Sequence, residues 1–123
     1  MPRSKGAIMR KRKVYMNFDD YQKESNKTAQ YPKEQALYYC GLGLTGEAGE
    51  VAEKLKKVLR NDNGVLSDEK KTEIQKELGD VLWYIAQLCT VMNISMQDVA
   101  KGNLAKLFDR MDRNVLKSEG DNR

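Results

Sequence analysis

Two segments of this chain carry an apolar stripe of helical period with the same pentapeptide at its edge, and this repeat limits the fold more than any other feature. Glu47-Ala48-Gly49-Glu50-Val51 and Glu77-Leu78-Gly79-Asp80-Val81 share the order acid, apolar, glycine, acid, valine. At about 100° per residue, with Glu47 as zero, Glu50 falls at about 300° and Lys54 at about 340°. Val58, Val51, Leu44, Leu55 and Ala48 form a stripe over about 20–100°. The second segment has the same phase, with Leu88, Val81, Ile74, Ile85 and Leu78 as its stripe and Asp80, Glu73 and Tyr84 beside Glu77. Two such helices, packed stripe to stripe, bring four carboxylates to the edge of one seam. A mid-helix glycine costs about 1 kcal/mol relative to alanine. Gly49 and Gly79 share one angle, where a missing side chain leaves room for another helix or a ligand to approach the backbone.

The rest of the chain follows the same period, and no stretch alternates as a strand. Asn17 with Asp20 predicts the start of a first helix that ends before Pro32. A second helix spans about 33–60, with an interruption expected near Gly41-Gly43 or Thr45-Gly46. Asn61-Asp62-Asn63-Gly64 is a turn. Ser67 caps a third helix to about Met92, and Ser95 with Asp98 forms a capping box for a fourth that runs to about residue 115. The expectation is an all-α, four-helix bundle-like domain over residues 17–117. A basic, disordered leader (1–16) precedes it and a polar tail (118–123) follows.

Composition removes several chemistries. Histidine is absent, which excludes the commonest general base and the Glu-x-x-His signature of di-iron bundles. Cys40 and Cys89 lack metal-ligand spacing and read as small buried residues of a reduced, cytoplasmic protein. No signal-peptide core and no long apolar run indicates secretion or a membrane span. The net charge of +4 resides in the leader, since six of the 22 basic residues precede the first acid, Asp19, and the remaining 16 face 18 acids. A basic tail can touch nucleic acid, but nothing interleaves aromatics with it, so nucleic acid is not expected as the main partner.

Carboxylates crowded at a half-buried seam repel one another and resist ionisation unless a cation joins them. Oxygen ligands without His or Cys suit Mg²⁺, with Mn²⁺ as a substitute. A single E-x-x-E is an ordinary solvated face; two of them, each bordering an apolar stripe, favour a metal site. On the fourth helix, Asn103, Lys106 and Arg110 form one row beside Leu104, Leu107, Met111 and Val115. Long cations often snorkel in this way, but beside a carboxylate–metal cluster the row suits a polyphosphate. Trp83 and Tyr84 could stack on a base or belong to the core.

E-x-x-E, 26 intervening residues, E-x-x-D and an N-x-x-K helix together resemble the MazG-type all-α nucleoside triphosphate pyrophosphohydrolases, in their single-domain MazG-like branch. Asp20-Tyr21-Gln22, Tyr31-Pro32, GLTGEAGEVAEKLKK, KELGDVLWYIAQL, NLAKLFDR and GDNR extend the similarity over about residues 17–123. The resemblance implies a helical bundle that works as a homodimer or larger oligomer and hydrolyses (d)NTP to (d)NMP and pyrophosphate with Mg²⁺. It implies that Glu47, Glu50, Glu77 and Asp80 are metal ligands and catalytic. Lys54, Asn103, Lys106 and Arg110 would hold phosphates, with Lys54 also catalytic and Glu73 in outer-shell work. It further implies attack of an ion-acidified water on the α-phosphorus. Gly46 stands where some members carry a glutamate, which leaves the number of ions and the base open.

A rival reading is a non-enzymatic helical interaction module whose basic tail contacts nucleic acid; such a module has no need of acids beside its core. Whichever reading holds, Tyr38, Tyr39, Leu42, Leu82 and Trp83 widen the apolar surface beyond one stripe, and a helix apolar on more than one face usually has a second partner. A homodimer or homotetramer is the expectation.

Overall fold

Asn17 and Asp20 close a reciprocal pair of hydrogen bonds at the start of the first helix. The Asp20 N–H donates to Asn17 Oδ1 at 2.8 Å and the Asn17 N–H donates to Asp20 Oδ2 at 3.1 Å. The computed structural model describes residues 16–117 and 119–121; apart from Met16, the expected leader lies outside the described residues. Four helices follow one another: α1 (Phe18–Asn26), α2 (Ala36–Asn61), α3 (Asp68–Val91) and α4 (Met96–Asp112), with a short 3-10 turn at Lys33–Gln35 before α2. No strand occurs among the described residues. The fold is all-α, as expected.

The first helix ends before Pro32, as expected, and stops at Asn26 because its last polar side chains turn away from the helix ladder. Thr28 Oγ1 donates to the Ser25 carbonyl at 2.7 Å and accepts from Trp83 Nε1 at 2.8 Å, while Asn26 Nδ2 donates to Gln87 Oε1 at 2.9 Å. The second helix differs from expectation and is unbroken through its glycines. Gly43 serves packing: the Tyr84 ring fills the space of its absent side chain, so that a Cβ there would lie 2.2 Å from Cε1.

The other helix ends use asparagine in the left-handed region, which that residue tolerates better than most. Asn63, Asn93 and Asn114 have φ of 54°, 55° and 59°. After Asn93 the Ile94 N–H returns to the Cys89 carbonyl at 2.9 Å, and after Asn114 the Val115 N–H returns to the Arg110 carbonyl at 2.9 Å. The turn after α2 adds Gly64 at φ 74° and folds α2 and α3 into the expected hairpin.

The helix α1 lies on α3, and α4 packs on α1 and α3. Side chains of α1 and α4 cap each other's first turns. Asp19 Oδ1 accepts from Ser95 Oγ at 2.7 Å and from the Gln97 N–H at 3.1 Å, and Gln97 Oε1 accepts from the Phe18 N–H at 3.0 Å. Those two donors, the Ser95 hydroxyl first, hold the Asp19 carboxyl below its usual range. Ser95 Oγ also accepts from the Asp98 N–H at 3.1 Å, the cap expected for α4.

The buried apolar side chains are small: Ala36, Cys40, Val58, Ala86, Cys89 and Met96. Gln87 is fully buried among them and satisfies its amide by donating to Ser25 Oγ at 2.9 Å and accepting from Asn26. Leaving one such buried group without a partner costs about 1–3 kcal/mol, so this amide pins α1 to α3 in one register. Among the described residues α2 packs on no helix but α3. Its outer face carries Tyr38 and Leu42 at 74% and 75% exposure. The stripes themselves are only half covered: Val58 is buried and Leu44 and Val51 half-buried, but Leu55 and Leu78 are 49% and 53% exposed. These helices present apolar area that the described residues do not cover.

Candidate metal and phosphate site

The pairing of α2 with α3 brings Glu47, Glu77 and Asp80 together: one carboxylate oxygen from each lies within 4.8 Å of the others. Glu47 and Glu77 are half-buried and Asp80 is exposed. Burial raises the Glu47 carboxyl above its usual range, helped by its hydrogen bond with Glu77 and by the charges of Asp80, Glu77 and Glu50. A carboxyl so placed holds its proton longer than a solvated one. Three all-oxygen donors gathered this closely, with no nitrogen or sulfur among them, suit a hard divalent ion.

Glu50, the fourth acid of the repeat, stands apart from this trio; it is exposed and acts on Glu47 through charge. Lys54 lies half-buried across the seam, with Nζ 3.9 Å from Glu77 Oε1 and 4.0 Å from Glu73 Oε2. Glu73 also receives Lys70 Nζ at 3.3 Å. Glu73 thus reaches the acids through Lys54.

Tyrosines flank the cluster. Burial first, and the Asp80 charge second, raise the Tyr21 hydroxyl above its usual range. The Tyr84 hydroxyl is raised by burial and then by Tyr39, Glu47 and other neighbours. A cavity of about 330 Å³ opens beside Tyr21, lined by Met16, Asn17, Phe18, Leu82 and Gln97. Trp83 is engaged within the chain: its ring meets Tyr84 edge-on at 5.0 Å and Tyr31 at 6.2 Å, and its N–H is held by Thr28.

On α4, Lys106 and Arg110 converge on one partner, and Asn103, one turn earlier, is exposed. Lys106 Nζ lies 3.0 Å, and Arg110 Nη2 2.9 Å, from the same Oδ1 of Asp121, and Arg110 Nη2 also donates to the Asp121 carbonyl. No hydrogen bond or ion pair among the described residues joins this pair to the acids of the seam, and α2 and α4 do not pack together. Tyr21 and Asp121 were not foreseen as part of either site. A tyrosine on an amphipathic helix reads as core, and an acid 11 residues beyond Arg110 gives no spacing signal across a helix end.

Residues 36–115 match the MazG nucleotide pyrophosphohydrolase domain, a span that opens at the first residue of α2 and takes in both acidic pentapeptides and the α4 row. The chain belongs to that family. It is 44% identical over 114 residues to the Gene 37 protein of Mycobacterium phage L5, a match covering 88% of this chain and all of that protein. No solved structure matches the chain. No helix among the described residues is long and apolar enough to cross a membrane.

Proposed function

We propose that this chain is a Mg²⁺-dependent nucleotide pyrophosphohydrolase that cleaves (d)NTP into (d)NMP and pyrophosphate, with Mn²⁺ able to substitute. The observation that carries this reading is the meeting of Glu47, Glu77 and Asp80 at the α2–α3 seam of a chain in this family. These three carboxylates would hold the ion, with Glu50 on the next turn available to an ion or its ligands. When bound, the ion neutralises phosphate charge and makes a water more acidic. The residues of the chain supply the remainder. Lys54 holds Glu77 and Glu73 in place and adds positive charge beside the seam. Lys106 and Arg110 offer ammonium and guanidinium donors to phosphate oxygens, and Asn103 extends the row by one amide. The cavity beside Tyr21 accommodates the nucleoside between Phe18 and Leu82, with the Asn17 and Gln97 amides at its wall, while Trp83 and Tyr84 brace the opposite side of α3. Water adds to the α-phosphorus and pyrophosphate departs with no covalent enzyme intermediate.

The working unit is a homodimer or homotetramer. This is supported by the uncovered apolar face of α2, by the separation of the α4 cations from the acids within one chain, and by the open backbone at Gly49 and Gly79, where a Cβ would meet nothing within 4 Å. Two buried thiols, Cys40 and Cys89, both unpaired, agree with a reducing cytoplasm. Incubating the protein with each common NTP and dNTP in Mg²⁺ and separating the products tests the activity. Monophosphate with pyrophosphate is expected; diphosphate with phosphate, or no turnover of any nucleotide, would overturn it.

A further inference from the structure

The pair formed by α4 and the tail is unequal. Arg110 is 4% exposed and belongs to the folded body, while the Asp121 side chain is 78% exposed and reaches it from the surface. A guanidinium keeps its charge when buried and carries five donors, so burying one requires acceptors. Asp121 supplies only part of them: its Oδ1 and its carbonyl both go to Nη2, and Arg110 Nε is buried without any hydrogen-bond partner. Lys106 Nζ converges on the same Oδ1. Two cations one helical turn apart therefore share one carboxylate oxygen, with a buried donor to spare. The site offers more than its occupant uses, and a phosphate group, with three oxygens and a second negative charge, matches it more fully.

We infer that Asp121 is an internal anion seated in an oxyanion site built by Lys106 and Arg110, and that an incoming phosphate group displaces it. This inference rests on the reading of the α4 row as a phosphate site. Asp121 then acts as a strap that raises the threshold for binding: an anion enters only by outcompeting a carboxylate tethered to the same chain, whose effective concentration is high. Removing that carboxylate lowers the threshold without touching the acids of the seam.

The experiment is calorimetric titration of pyrophosphate into the full-length protein in EDTA, so that the metal site takes no part, for the wild type, Asp121→Ala and Asp121→Asn. Tighter binding by about five- to tenfold in Asp121→Ala is expected, with a smaller gain in Asp121→Asn, whose amide oxygen still accepts. The gain should vanish in Asp121→Ala combined with Lys106→Met, and pyrophosphate should raise the Tm of Asp121→Ala more than that of the wild type. Unchanged or weaker binding in Asp121→Ala overturns the strap and makes Asp121 a structural partner of Arg110. Hydrolysis of (d)NTP by the same preparations is scored separately. Tightened pyrophosphate binding in a protein that hydrolyses no nucleotide upholds the strap and overturns the catalytic reading. Hydrolysis with unchanged pyrophosphate binding does the reverse.

Discussion

Among single residues, Asp80 and Glu77 carry the sharpest consequence of the proposed site. Both border the packed seam without filling it, so changing a carboxylate to an amide leaves helix packing alone and removes an oxygen charge from the trio. Asp80→Asn or Glu77→Gln should lower Mg²⁺-dependent turnover by about 10²–10³-fold, with the far-ultraviolet circular dichroism unchanged. The metal-free variants should melt no lower than the wild type, because easing like-charge repulsion offsets what the lost contacts contribute. Glu50→Gln should cost less, since that carboxylate stands outside the trio. Wild-type kinetics in Asp80→Asn would remove the metal assignment. These acids were legible in the sequence because the helical phase of each pentapeptide follows from its own neighbours. Tyr21 was not, since it feels the Asp80 charge only once α1 is packed on α3, a packing held by the Gln87–Ser25–Asn26 network and signalled by no local spacing.

Helix order and type were readable from period and caps; Asn17, Ser67 and Ser95 cap the helices they were expected to cap. The failures have one kind of cause. Propensity alone predicts a break at the glycines of α2, but the long packed surface against α3 carries the helix through, and the Tyr84 ring occupies the notch at Gly43. The exact end of α1 before Pro32 has no local signal, because Asn26 and Thr28 find side-chain partners on α3 that no local rule can supply. The same limit governs burial. Period identified which residues share a stripe, but it does not say how much of the stripe a neighbour covers, and Leu55 and Leu78 remain 49% and 53% exposed. On α4, Leu104, Phe108 and Met111 are 51%, 53% and 55% exposed. Such faces on helices that are otherwise well formed call for a second copy. Light scattering coupled to size exclusion at micromolar concentration should give a dimer or tetramer with no monomer peak. A stable, active monomer would contradict the oligomeric proposal and require one chain to complete the site alone.

At the scale of the whole molecule, the fold is a frame that holds two kinds of charge on different elements. The acids sit where α2 meets α3, and the cations sit near the end of α4, steered there by the mutual capping of α1 and α4 through Asp19 and Gln97. Neither half suffices for phosphoanhydride chemistry: carboxylates without a cation repel the substrate, and cations without the acids bind phosphate without activating water. The family to which the chain belongs suggests the reaction class, and the seam holds the residues proposed to carry it. The claim that unites them is that water adds to the α-phosphorus. Hydrolysis of a turned-over (d)NTP with Mg²⁺ in water enriched in oxygen-18, followed by mass spectrometry of both products, tests it directly. One labelled oxygen in the monophosphate and none in the pyrophosphate is expected; label in the pyrophosphate, with the monophosphate unlabelled, would contradict attack at the α-phosphorus.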